Sequence, residues 1–136
     1  MRDIDSAEEW LETWAAGVDA NAARAVELSR RVAELTGEAT SRDGSISVAV
    51  GSAGQLERLD IDDRPGRLTG AQLSREIMSL IRRAQAQLSA RVAAQVEQTV
   101  GADTETGRAV IHSYAERFPE PPDGAGDVDP RDSHAR

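Results

Sequence analysis

The apolar residues of the first third of the chain recur at Leu11, Trp14, Val18, Ala22, Ala25, Leu28, Val32 and Leu35, in steps of three and four that keep to one face of a helix. Ser6 and Glu9 have the spacing of a capping box, in which each side chain satisfies the other's exposed backbone donor. This predicts a helix from Ser6 to Gly37, with the glycine as a left-handed stop. At 1.5 Å per residue such a helix runs roughly 45 Å, longer than a compact domain of this size needs. Part of it must project or pair with another chain.

Beyond Gly37 the period drops to two. Glu38 to Arg42 lead into Asp43-Gly44, a dipeptide suited to a tight hairpin, and Ile46, Val48 and Val50 then alternate with Ser47 and Ala49 as in a strand with one buried face. Gly51-Ser52-Ala53-Gly54 predicts a second turn. Gln55 to Asp62 predicts a third strand, with Leu59 and Ile61 on one side and Asp60 and Asp62 on the other; Leu56 falls out of phase, which points to a bulge near Glu57. Arg64-Pro65-Gly66 breaks the chain. A capping box at Thr69-Gly70-Ala71-Gln72 then opens a second long helix carrying Leu73, Ile77, Leu80, Ile81, Ala84, Leu88, Val92 and Val96 and ending near Gly101. Residues 105 to 118 predict a short third helix with Val110, Ile111, Tyr114 and Phe118. The expected class is therefore α+β, a helix, three-stranded antiparallel meander and helix over residues 1–101, with an added short helix over 102–118. From Pro119 the chain is rich in Pro, Gly and acid, and 119–136 is expected to be a disordered tail.

Composition changes this picture in three ways. The core residues are mostly aliphatic, with Trp10, Trp14, Tyr114 and Phe118 as the only aromatics, so a chain of 136 residues is expected to complete its core against a second copy. There is no cysteine, and His112 and His134 lie far apart, so no thiolate metal site, disulfide or catalytic triad can be assembled. No catalytic residue, metal or cofactor is expected. The formal charge is −8, but the acids concentrate at the two ends, whereas residues 24 to 98 carry eleven Arg against ten acids. The acidic start has no signal-peptide pattern and no run is long enough to span a bilayer, so a soluble, cytoplasmic protein without a membrane partner is expected.

The order of elements, together with Val48 to Gly54, the strand Leu59 to Asp62 and the helix Leu73 to Ala84, resembles the YbaB/EbfC family of nucleoid-associated proteins in its divergent, actinobacterial type. The resemblance covers roughly residues 10 to 100. It implies a homodimer joined through the sheets, protruding helices, nonspecific binding of double-stranded DNA and a place in the nucleoid. Ile46, Val48, Val50, Leu59 and Ile61 are then the expected dimer surface. Departures from the family, the acidic ends and the absence of Lys, support an alternative: a dimeric adaptor or scaffold that binds a protein partner, such as an accessory component of a secretion locus, and not DNA.

Candidate contact residues follow from the helix faces. On the second helix Arg75 and Arg82 share one face, and Arg83, Gln87 and Arg91 share its neighbour; outward Arg and Gln side chains hold phosphates without reading bases. Solvent alone would also suit such a face. On the first helix Arg24 and Arg31 could extend the surface, although Glu27 is placed to pair with Arg30 and Arg31 instead. Trp10 and Trp14, one turn apart, suit either core and dimer packing or capture of a protein partner. Asp60, Asp62 and Asp63 read as a charged strand face that discourages aggregation, not as a metal site.

Overall fold

A computed structural model describes residues 2–63 and 68–121 of the chain. The order is α1 (Arg2–Ala33), β1 (Gly37–Thr40), β2 (Ile46–Val50), β3 (Leu56–Ile61), α2 (Gly70–Gln98) and α3 (Glu105–Arg117). The strands form one antiparallel sheet in the order β1-β2-β3. The expected α+β class and the added third helix are both present. The Arg64-Pro65-Gly66 break and residues 122–136 of the expected tail lie outside the described residues.

Local chemistry explains most of the boundaries. Thr69 caps α2 as its sequence predicts: its hydroxyl accepts from the Gln72 backbone N–H at 3.1 Å while the Gln72 side chain accepts from the Thr69 N–H at 2.9 Å. At the other end Gly101 takes a φ of 91° and its N–H reaches back to the Val96 carbonyl at 2.7 Å, a left-handed stop. Val50 pairs with Leu56 and Ala49 with Arg58, leaving Glu57 as the extra residue of a bulge that brings Leu56 back onto the apolar face.

The start and stop of α1 differ from the sequence reading. The helix begins at Arg2, so Ser6 and Glu9 lie inside it rather than at its cap. It ends at Ala33, where Glu34 and Leu35 donate to the carbonyls of Arg31 and Val32 in a tightened last turn. Gly37 is not a left-handed stop; it is the first residue of β1. A Cβ there would overlap the Ala84 carbonyl of α2, so glycine is required by close approach of strand and helix rather than by φ.

The core lies between the sheet and α2. Leu80, Ala84, Leu88, Val92 and Val96 recur every four residues and are fully buried against Ala39, Ile46, Val48 and Val50, with Leu28 sealing one end. Such a straight i, i+4 row winds slowly around its helix, which suits a helix laid across twisted strands. α2 covers β1 and β2. β3 is left open along its whole length. α3 folds back onto α2 and closes the β2–β3 turn: the Tyr114 hydroxyl donates to the Ser52 carbonyl at 2.7 Å, Phe118 lies over Gly54, and Gln85 of α2 donates to the Gly54 carbonyl at 2.9 Å.

Candidate nucleic-acid interface

The capped start of α2 turns Arg75, Ser79, Arg82 and Ala86 away from the sheet, in steps of four, three and four. Arg83 stands beside this line. Arg75, Arg82 and Arg83 are exposed, and none makes an ion pair or hydrogen bond among the described residues. That sets them apart from every other arginine whose side chain is described. Arg24 donates to Asn21 and Arg30 to Glu27; Arg58 pairs with Asp60 at 2.9 Å; Arg108 donates to the Asp103 carbonyl; Arg117 stacks over the Tyr114 and Phe118 rings. Arg42 is also engaged.

The row Arg83, Gln87, Arg91 and Gln95 runs one residue ahead of the buried positions Ala84, Leu88, Val92 and Val96, so it flanks the core and meets the link between α1 and β1. The structure uses three of its members there. Gln87 Oε1 accepts from the Glu38 backbone N–H at 2.7 Å, Arg91 donates to the Thr36 carbonyl at 2.7 Å and lies 3.5 Å from the Glu38 carboxylate, and Gln95 accepts from Arg31 at 3.3 Å. Gln87, Arg91 and Arg31 are half-buried fasteners: the first two satisfy backbone groups of the connection, and Arg31 bonds the side chains of Glu27, Gln95 and Gln98. Only Arg83, at the outer end of the row, is free to face a ligand. The sequence places the row at the margin of the packed face, where a residue preceding each core position of a helix lies, but does not show which groups it fastens.

At the end of α1, Glu27 receives Arg30 Nη2 at 2.7 Å and Arg31 Nε at 2.8 Å. Hydrogen bonds from Arg30, then Arg31, lower its pKa from the ordinary 4.5 to about 2. Arg31 also donates to Gln95 and Gln98, so this cluster ties α1 to α2. A lowered acid contributes above its unfolded value and stops contributing as pH falls through its folded one. Loosening of the α1–α2 junction is therefore expected between about pH 4.5 and 2. Hydrogen exchange at residues 28–35 checks this: Glu27→Gln should remove the dependence, and an unchanged acid response would reject the cluster as its cause.

α2 carries four Arg against two acids, while α1 carries four against seven. The outer side of α2 is thus a local basic face on an acidic chain, suited to polyanion contact through paired guanidinium donors. The profile of the YbaB/EbfC DNA-binding family matches residues 15–103. The chain belongs to this family. The matched segment begins beyond Trp14 and ends before α3. No curated protein and no solved structure shows significant similarity to the chain.

The remaining sequence candidates fall into two groups. Antiparallel partners share a sheet face, so Leu56, Leu59 and Ile61 lie on the same side as Val50, Val48 and Ile46. Yet Ile46, Val48 and Val50 are buried under α2 of their own chain, whereas Leu59 and Ile61 are 39% and 48% exposed. Within this structure the apolar surface left on that side belongs to β3. Trp10 and Trp14 do not pack into the chain's own core; they are 63% and 58% exposed on the projecting part of α1. Among the described residues there is no group of His, Asp or Glu placed to hold a metal, and no helix is long and apolar enough to cross a membrane.

Proposed function

We propose that the chain acts as a homodimeric, largely sequence-nonspecific DNA-binding protein of the cytoplasmic nucleoid, and catalyses no reaction. The observation that carries this reading is the set Arg75, Arg82 and Arg83: exposed, unpaired among the described residues, and close together on the outer side of one helix in a family named for DNA binding. Guanidinium groups so placed neutralise phosphates and release counterions, which gives affinity without base readout. Arg24, exposed on α1, would add to it. Titration of the purified chain against duplexes of unrelated sequence tests this: equal affinities are expected, and a preference of tenfold or more for one sequence, about 1.4 kcal/mol, would overturn the nonspecific reading.

Dimerisation would use β3, which presents an unpaired backbone edge together with exposed Leu56, Leu59 and Ile61. Leu59→Asp with Ile61→Asp is expected to shift the mass in solution from dimer to monomer without unfolding the chain, because both side chains lie outside its own core. A dimer that survives both changes would remove β3 from the interface. The second reading, a dimeric adaptor that binds a protein partner such as a component of a secretion locus and leaves DNA alone, is favoured by exposed Trp10 and Trp14 on an acidic helix. It predicts no duplex binding even at low salt.

A further inference from the structure

β3 has the least support of the three strands. α2 covers β1 and β2, whereas every residue of β3 is exposed and its ladder runs to β2. One end of the strand is tied where the Asp62 N–H donates to the Ser45 carbonyl at 2.7 Å. The other end leaves the turn over residues 51–54, which closes on itself: the Gly54 N–H donates to the Gly51 carbonyl at 2.8 Å, and the Gly51 N–H to the Gln55 carbonyl at 2.9 Å. Those bonds shape the turn without fixing where it sits against the rest of the chain. Its seat comes from outside the sheet, from the Tyr114 hydroxyl on the Ser52 carbonyl, the Phe118 ring over Gly54 and the Gln85 amide on the Gly54 carbonyl.

Both ends of α3 are specified for this place. At its start the Thr104 hydroxyl accepts from the Gly107 N–H at 2.9 Å and donates to the Gly101 carbonyl at 2.8 Å, which ties the cap of α3 to the stop of α2. Gly107 lies in the first turn, where a Cβ would overlap the Gly101 carbonyl, so the helix sits as close to that stop as a backbone allows. At the other end Pro119 cannot continue the helix, and Phe118 leaves it with its ring against Gly54. The Arg117 guanidinium lies 4.8 Å from the Tyr114 ring centre and 5.1 Å from that of Phe118, and holds the two rings together. A helix that only covered apolar surface would need neither the glycine in its first turn nor the ring at its last.

We infer that α3 is the positioning element of β3: it seats the β2–β3 turn, and the free edge of the strand is presented for pairing only while that seat is kept. Sheets twist, and the twist is largest where only two strands pair. β2 is pinned under α2, so the strand left to swing is β3, and fixing its turn end removes that freedom. The bulge at Glu57 lies just past the turn and increases the local twist, so a displacement there is carried into Leu59 and Ile61. The consequence for assembly rests on the reading of β3 as the dimer strand; the seat itself does not.

The test uses the full chain with Tyr114→Phe, which keeps the ring and removes only the hydroxyl, and with Phe118→Leu, singly and together. Amide hydrogen exchange is followed at residues 55–61 and at 84–96, and the dimer dissociation constant is measured alongside. Exchange at 55–61 is expected to rise about fivefold for Tyr114→Phe and further for the pair, with 84–96 unchanged and the dimer weakened by a similar factor. Repeating the exchange in the Leu59→Asp, Ile61→Asp background reads the seat without any contribution from pairing, and the same rise at 55–61 is expected there. Unchanged exchange at 55–61, or equal acceleration at 55–61 and 84–96, would overturn the inference and leave α3 as ordinary cover. Faster exchange at 55–61 in both backgrounds with an unchanged dimer would uphold the seat and overturn β3 as the dimer strand.

Discussion

Replacing Arg75, Arg82 and Arg83 together by Ala is expected to weaken binding of duplex DNA on the order of a hundredfold, by the same factor on every sequence. The three side chains are exposed and make no hydrogen bond or ion pair among the described residues, so their removal should leave the fold intact and the loss is specific to the ligand. The slope of log affinity against log salt should flatten by about 0.9 for each phosphate contact removed. Arg91→Ala is the informative contrast. Arg91 holds the Thr36 carbonyl and the Glu38 carboxylate, so its loss should lower stability by about 1–3 kcal/mol while the salt slope stays as it was. Electrophoretic or anisotropy titrations at three or more salt concentrations read both quantities. An unchanged slope in the triple variant would exclude the outer side of α2 as the contact surface.

Gly37→Ala is expected to destabilise the chain by about 3 kcal/mol, the upper part of the range for overpacking, because the added methyl would meet a helix carbonyl and not a side chain that can rotate away. α2 would have to lift off β1, loosening the contact of Ala84 and Leu88 with the sheet. Leu88→Ala removes volume at the same crossing and should cost about 2–5 kcal/mol. Against a total stability of about 5–15 kcal/mol for a domain of this kind, either change is large. Denaturant midpoints at constant slope check both. A neutral Gly37→Ala would contradict the close approach on which the placement of α2 depends.

These particulars also explain what could be read from the sequence. Thr69 with Gln72, the Glu57 bulge and the four-residue ladder from Leu80 to Val96 are short-range patterns, each fixed by residues near in the chain, and the structure follows them. Gly37 departs from its sequence expectation because its requirement comes from Ala84, remote in sequence; a glycine after a helical run has two physical explanations, and only the tertiary crossing separates them. The start of α1 lies ahead of the expected cap because Ser6 and Glu9 have the spacing of a cap yet also suit a helix interior. In the candidate site, Arg75, Arg82 and Arg83 were legible as outward positions. The fastening roles of Gln87, Arg91 and Arg31 were not, since their partners are backbone groups of the α1–β1 link and amide side chains at the far end of α2. That Trp10 and Trp14 stand clear of the core followed from where α1 leaves α2, which periodicity does not encode.

The most direct measurement is a titration of the purified full-length chain against a labelled random-sequence duplex across a range of salt concentrations, with its mass in solution determined alongside. The proposed function predicts binding by a dimer that weakens linearly in log salt and is indifferent to sequence. A well-folded dimer that binds no duplex at low salt would contradict it, and would leave the chain a member of a DNA-binding family that has turned its surface to a protein partner.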